Sequence, residues 1–342
     1  MELSERIKEF VMNYDDRLRF SGAILIQNEK KIFEGGFGYA NRSEHIPITS
    51  RTRFGMASGC KVFTSVAICQ LVEKEILTFD TCLKDCLDIS FPHFHPNVTI
   101  HHLLTHTSGV PDYFDEEVMS DFEELWKAVP MYSIKSPKDF LPMFQDHPMK
   151  FNSGSKFSYS NAGYILLGLI VERMTGMTFP EYVTENIFRV CDMSDSGYFR
   201  MDKLPERTAL GYIDSEEGND WRTNIYSVPI VGGPDGGAFT TVLDLAKFWN
   251  GLLNAKLLGK EYTDRLLTPY VKSNNDIYYG YGVWISMNND DVLKYFIFGF
   301  DPGVRIHSSV NAKSKIQSHI MSNIDQSVVP IVTGIDKLIS EK

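Results

Sequence analysis

Strand-type patterning is confined to the two ends of this 342-residue chain, and that distribution restricts how it can fold. Near the start, residues 21–27 (Ser-Gly-Ala-Ile-Leu-Ile-Gln), a polar turn at 28–31 and residues 32–39 (Ile-Phe-Glu-Gly-Gly-Phe-Gly-Tyr) read as a β-hairpin. Four short strands are expected near the other end, at 279–285, 293–298, 304–308 and 316–321. Between about 80 and 235 the patterning is helical and is broken by Pro92, Pro96, Pro111, Pro130 and Pro137. Strands at both ends with helices between them predict an α+β fold, in which both termini build one antiparallel sheet. The expected organisation is one domain over 1–342. Residues 1–78 and about 236–342 supply the sheet and its flanking helices, and about 79–235 form a helical region.

Helices are expected where apolar residues recur at 3–4 spacing. One holds Leu3, Ile7, Phe10, Val11 and Leu18. A second, over 58–76, holds Val62, Val66, Cys69, Leu71 and Val72. Others are predicted over 162–174 and 328–339. The first 20 residues lack the apolar core and cleavage site of a signal peptide, and no apolar run reaches the roughly 18 residues of a membrane span. Five cysteines form neither a disulfide framework nor a finger-type zinc spacing, and buried thiols in a reducing compartment are expected. The expected location is therefore cytoplasmic. Lys and Arg total 34 against 44 for Asp and Glu, a net charge of −10, which argues against nucleic acid as a partner.

Ser58-Gly-Cys-Lys61 heads the second predicted helix. Residues three apart share one helix face, so a serine hydroxyl and a lysine amine lie side by side. A neutral lysine can take the serine proton, and a charged one can stabilise the alkoxide. A second such set, Ser153-Gly-Ser-Lys156, falls in a Gly/Ser loop and reads as a turn. Tyr159-Ser-Asn161 adds a phenol, whose ionised form a nearby lysine cation would stabilise as a base. It also adds an amide that can bond a substrate carbonyl or cap the following helix. Neither Lys61 nor Tyr159 is expected to carry core packing.

These elements occur in a fixed order: Phe-Gly-Met-Ala-Ser-Gly-Cys-Lys at 54–61, His-His-Leu-Leu-Thr-His-Thr-Ser-Gly-Val-Pro-Asp at 101–112, Phe-Ser-Tyr-Ser-Asn-Ala-Gly-Tyr at 157–164, and Gly-Gly-Ala-Phe-Thr-Thr at 236–241. The series resembles the serine β-lactamase and penicillin-binding-protein-like superfamily, in its class C β-lactamase, DD-peptidase and family VIII esterase branch. The Leu-Leu-Thr-His-Thr-Ser-Gly segment at 103–109 is its most specific part. The resemblance implies the β-lactamase/transpeptidase fold, with the site between the sheet and the helical region. It implies Ser58 as the nucleophile of an acyl-enzyme, Lys61 and Tyr159 as the proton shuttle, and Asn161 on the substrate carbonyl.

The chain departs from that family at the third motif, Lys or His, any residue, then Gly. Aligned on Gly299, the cation position is Ile297, and the oxyanion donor becomes the N–H of Phe300. A backbone donor survives a change of side chain, whereas recognition of a substrate carboxylate does not. Lys294, Arg305 or His307 is the expected substitute cation. Tyr226, Phe239 and Phe300 fall on segments the family uses to line the cleft. His102 and His106 read as structural, since no Glu or third ligand accompanies them. The expected function is a serine hydrolase acting on a small ester, amide or peptide, without metal or cofactor. The alternative is a non-catalytic binding or regulatory protein of the same fold.

Overall fold

In the computed structural model, which describes residues 2–13, 20–215, 217 and 220–341, eight antiparallel strands make the main sheet. They are β1 (Gly22–Gln27), β2 (Lys31–Phe37), β3 (Val271–Asn274), β4 (Ile277–Tyr279), β5 (Trp284–Asn288), β6 (Asp291–Asp301), β7 (Val304–Asn311) and β8 (Gln317–Ser322). Their spatial order is β2-β1-β8-β7-β6-β5-β4-β3. The two ends of the chain meet at β1 and β8, where Gly22 lies opposite Ser322 and Gln27 opposite Gln317.

The five longest helices are α1 (Leu3–Met12), α2 (Lys61–Glu73), α3 (Asn161–Thr175), α4 (Val242–Leu253) and α5 (Val329–Ser340). Period-two alternation gives the sheet two apolar faces. On one, Ile24, Ile26 and Ile320 pack against Ile7 and Val11 of α1 and Ile331 and Ile335 of α5. On the other, Leu25, Ile306 and Met321 share a larger core with α2, α3 and α4. Every residue of α2 from Lys61 to Val72 is buried, because the helix is apolar all round and runs through the middle of this core. The same core continues into the helical region through Leu103, Ile134 and Phe179.

Three expectations need correction. The single strand over 279–285 is two strands, because a turn intervenes in which Gly280 N–H meets Val283 O at 2.8 Å and Gly282 has φ +72°. A side chain at Gly282 would be strained there, so this alternation of Tyr and Gly marks a turn. Strand β3, Val-Lys-Ser-Asn, was not anticipated; it is a polar edge strand with little apolar pattern. The first helix ends at Met12, and Leu18 lies outside the described residues.

One irregularity of the sheet positions the site. Strand β5 pairs with β6 only from Asn288–Asp291 to Trp284–Phe296. Beyond it, residues 297–301 pair with β7 alone and, among the described residues, no strand covers their other edge.

Candidate active site

Ser58 stands in a 3-10 turn (Ala57–Cys60) that leads into α2. Ala57, just before it, is buried and held at φ +45°, a left-handed conformation that costs energy for a residue with a Cβ. The surroundings hold this turn in place. Met56 N–H bonds Ala238 O at 2.7 Å, and Gly237 N–H bonds Ala57 O at 3.3 Å. Gly299 of β6 presses on the other side, so closely that a Cβ there would lie 2.6 Å from Met56 O and 2.9 Å from Ser58 N.

Lys61 follows one turn later and is 1% exposed, so it is part of the core, contrary to the expectation from sequence. Its Nζ donates to Ser58 Oγ at 2.9 Å, Asn161 Oδ1 at 2.7 Å and Asp235 O at 2.6 Å. Three acceptors around one amine is the arrangement of an ammonium group, which has three donors. The Asn161 oxygen is thus engaged by Lys61. The helix cap is Ser160, whose Oγ accepts from Gly163 N at 3.0 Å.

The start of α3 is fixed from two sides. The Asp112 carboxylate accepts from Asn161 N (2.7 Å) and Ala162 N (3.0 Å), and His106 Nδ1 accepts from Ser160 N (3.0 Å). Burial pushes His106 well below the usual histidine range, and the Lys61 charge acts the same way, so its ring is neutral. Between these anchors, the Tyr159 ring packs 4.3 Å from that of His106 and 6.1 Å from Trp284, centroid to centroid. Lys61 Nζ lies 4.9 Å from the Tyr159 centroid. Burial, followed by the nearby Glu116 charge, raises the Tyr159 hydroxyl well above the ordinary phenol range. The stabilised phenolate expected from sequence is not the resting form, because desolvation outweighs the cation.

The cleft around Ser58 has a volume of about 340 Å³ and is lined by Glu116, Asp235 and Asp301, among others. Burial pushes Asp112 up to about 7, with the N–H groups of Asn161 and Ala162 opposing it. Burial, then the Asp235 charge, pushes Asp301 up to about 7. Asp235 and Glu116 are raised by burial too, with Lys61 opposing. The Asp235 carboxylate also accepts from the Tyr113 hydroxyl.

The third motif is divided by the pleat. Ile297 is 1% exposed, belongs to the main core and does not line the cleft, so it is not positioned to touch substrate. Gly299 abuts the Ser58 turn, and Phe300 lines the cleft. Of the three substitute cations, Lys294 pairs with Asp336 of α5 at 2.7 Å. His307 is buried and pushed down to about 3 by desolvation. Only Arg305 lines the cleft, and its Nη1 donates to Asp301 O (2.6 Å) and Val304 O (2.8 Å). Phe239 lines the cleft, whereas Tyr226 is 76% exposed and lies outside the lining. In the second Ser-x-x-Lys set, Ser153 bonds Ser108 O at 2.8 Å beside Gly154 at φ +82°, as a turn does. His102 takes part in a capping box with Thr99.

Sequence reasoning did not single out Glu116, Asp235, Asp301 or Trp284. Two carried a usable signal. Asp235 is the one acid within the Gly-rich segment 232–237, and Asp301 directly follows the expected oxyanion donor.

A serine–lysine pair at a helix start, closed by a Tyr-x-Asn helix and a strand edge, defines a serine hydrolase of the β-lactamase/transpeptidase type. The Beta-lactamase family model matches residues 8–332, and the chain belongs to that family. It is similar to penicillin-binding protein 4* of Bacillus subtilis (strain 168), 29% identical over 293 residues that cover 81% of this chain and 62% of that protein. The chain therefore spans less than two thirds of that relative's length. A penicillin-binding protein from Bacillus halodurans superposes with a TM-score of 0.92 at 51% identity, covering 96% of this chain and 99% of that one. The octameric penicillin-binding protein homologue from Pyrococcus abyssi gives 0.86 at 27% identity, covering 99% and 77%. Among the described residues no helix is long and apolar enough to cross a membrane.

Proposed function

We propose that the protein hydrolyses small, uncharged or cationic esters and amides through a Ser58 acyl-enzyme. The observation that carries this reading is Lys61 Nζ at 2.9 Å from Ser58 Oγ, with the Tyr159 ring 4.9 Å from the same amine. Ser58 Oγ attacks the scissile carbonyl, and its proton passes to the Lys61–Tyr159 pair in the form that has first lost one proton to solvent. The N–H groups of Ser58 and Phe300 receive the oxyanion. The pair returns the proton to the departing alcohol or amine. Water then attacks the acyl-enzyme, gives its proton to the same pair, and Ser58 is restored. Asn161 holds Lys61 in place through its Oδ1. A fluorophosphonate probe should modify Ser58 alone, as read by mass spectrometry of the labelled peptide. A label on Ser153, or no label, overturns the assignment.

The substrate preference rests on charge. Glu116, Asp235 and Asp301 face the cleft; of the two arginines in its lining, Arg305 is engaged by backbone carbonyls and Arg222 pairs with Glu123 at 2.7 Å. A substrate carboxylate would enter a negative field without a free partner, which costs binding. The preference should be pH-dependent. Asp301 is held up at about 7, so raising the pH through 7 adds a negative charge to the cleft. The kcat/KM ratio of a choline ester, whose quaternary ammonium stays charged at every pH, to a neutral ester should therefore rise several-fold between pH 6 and pH 8. Asp301→Asn should flatten that rise. Asp112→Asn should not, because that carboxyl serves the start of α3.

A further inference from the structure

Strand β6 carries Phe296, Phe298 and Phe300 at alternate positions, so all three rings project from one face of the sheet while Ile297 and Gly299 project from the other. Trp284 sits opposite Phe296 in the register, and β5 begins there. Past that point no strand lies beside β6 among the described residues, and the last two rings are open. Phe298 is 37% exposed and Phe300 48%.

These rings are contiguous with the reacting groups. The Tyr159 ring lies parallel to Trp284, with centroids 6.1 Å apart and planes at 16°. Trp284 is 5.5 Å from Phe298, and Phe298 is 6.4 Å from Phe300. At one end of this series, the Tyr159 ring lies 4.9 Å from the Lys61 amine that bonds Ser58. At the other, Phe300 lines the cavity that Ser58 lines, with the Arg305 guanidinium 5.5 Å over its ring. Between Phe298 and Phe300, Gly299 touches the backbone of the Ser58 turn. Exposed aromatic rings in an unbroken row beside a nucleophile form an apolar surface whose burial is favourable only when something covers it.

We infer that Tyr159, Trp284, Phe298 and Phe300 form an aromatic platform that binds a flat, uncharged leaving group of the substrate, an aromatic or alicyclic alcohol or amine. The leaving-group side follows from Tyr159, which hands a proton to that group in the proposed reaction and is the first ring of the row. The uncharged character follows from the rings themselves, which offer apolar faces, and from Arg305 over Phe300, which is held by backbone carbonyls. Aromatic contacts of this geometry add to simple area burial, through offset or edge-to-face packing.

The inference rests on the hydrolase reading for its kinetic test, so the two are read separately. Benzyl and methyl esters of one acyl group suit this purpose, because their alcohols leave with nearly equal basicity. The benzyl ester should be favoured about tenfold in kcat/KM, and Phe298→Ala should bring that ratio close to one. Phe298→Leu serves if the alanine variant does not fold, and Phe298→Tyr should retain the preference. A wild-type ratio near one, or a ratio that neither Phe298→Ala nor Phe298→Leu moves, overturns the platform. Fluorophosphonate labelling of Ser58 reports on the hydrolase chemistry independently. If neither ester turns over, titration with N-benzylacetamide decides by tryptophan emission. A saturable change in the wild type, absent in Trp284→Phe and weakened in Phe298→Ala, supports the platform. No saturable change, or one that persists in Trp284→Phe, refutes it.

Discussion

Lys61→Met and Tyr159→Phe should each lower kcat by about a thousandfold or more, and the double variant should be little worse than either single one. Lys61 bonds the serine oxygen and its amine lies 4.9 Å from the Tyr159 ring, so in the proposed reaction removing either breaks the same proton path. Methionine is the informative replacement for Lys61 because that side chain is fully buried. Alanine would also leave a cavity, at a cost of about 2–5 kcal/mol, and confound loss of activity with loss of fold. Even in Lys61→Met, the carbonyls of Asn161 and Asp235 lose their donor, so a lowered Tm is expected alongside the kinetic defect. The pH profile gives a second check. At rest Lys61 has the surroundings of an ammonium, and burial keeps Tyr159 a phenol. A pair that must accept the serine proton has to hold one proton fewer than this, so kcat/KM should climb as pH rises on the alkaline side. Multiplicative losses in the double variant, or a profile flat between pH 6 and pH 9, would mean that the two residues do not share the step.

Gly299→Ala is expected to abolish most activity while leaving the sheet intact. The new Cβ would meet Met56 O and Gly59 N at 2.6 Å and Ser58 N at 2.9 Å. All three are backbone atoms, so no side-chain rotation relieves the contact, and either β6 or the Ser58 turn must move. Both carry the proposed oxyanion donors, and displacing reacting groups by about 1 Å costs on the order of a hundredfold in rate. The measurement is kcat together with near-UV circular dichroism. Native circular dichroism with turnover reduced by that factor is the expected result, and wild-type turnover would show that the close approach does not position the nucleophile.

Part of this arrangement was legible in the sequence. Ser58 and Lys61 are three residues apart on a strongly apolar helix, and Tyr159 and Asn161 stand at the head of another, so local periodicity places both pairs at helix starts. The hairpin of β1 and β2 is equally local. What escaped depends on contacts distant in sequence. The burial of Lys61 follows from three acceptors on the Ser58 turn, α3 and the 232–237 turn. The negative field comes from Glu116, Asp235 and Asp301, which belong to three separated segments that no spacing rule connects. Strand β3 escaped because an edge strand buries little and carries weak alternation, β4 because it is only three residues long, and the glycines of 279–285 read as part of a strand until their backbone angles are known. Alignment on Gly299 puts Ile297 at the cation position of the motif, but the pleat turns its side chain into the core.

The meeting of β1 with β8 also sets an order of events during synthesis. Ser21 and Asn323, which share a hydrogen bond at the end of this strand pair, are 302 residues apart. The ribosome therefore releases β1 and β2 long before β8 exists. Until then the hairpin is a two-stranded ribbon, marginal on its own, with Ile24, Leu25 and Ile26 lacking the partners that later bury them. A sheet that closes only through contacts so distant along the chain folds slowly and passes through states with exposed strand edges. Gly299 and its neighbours likewise arrive late, so a nascent chain holds Ser58, Lys61 and Tyr159 well before the strand that completes their surroundings. The proposed site is complete only once β6 has been made, and a ribosome that stalls short of β6 yields a polypeptide with Ser58 and no strand beside it.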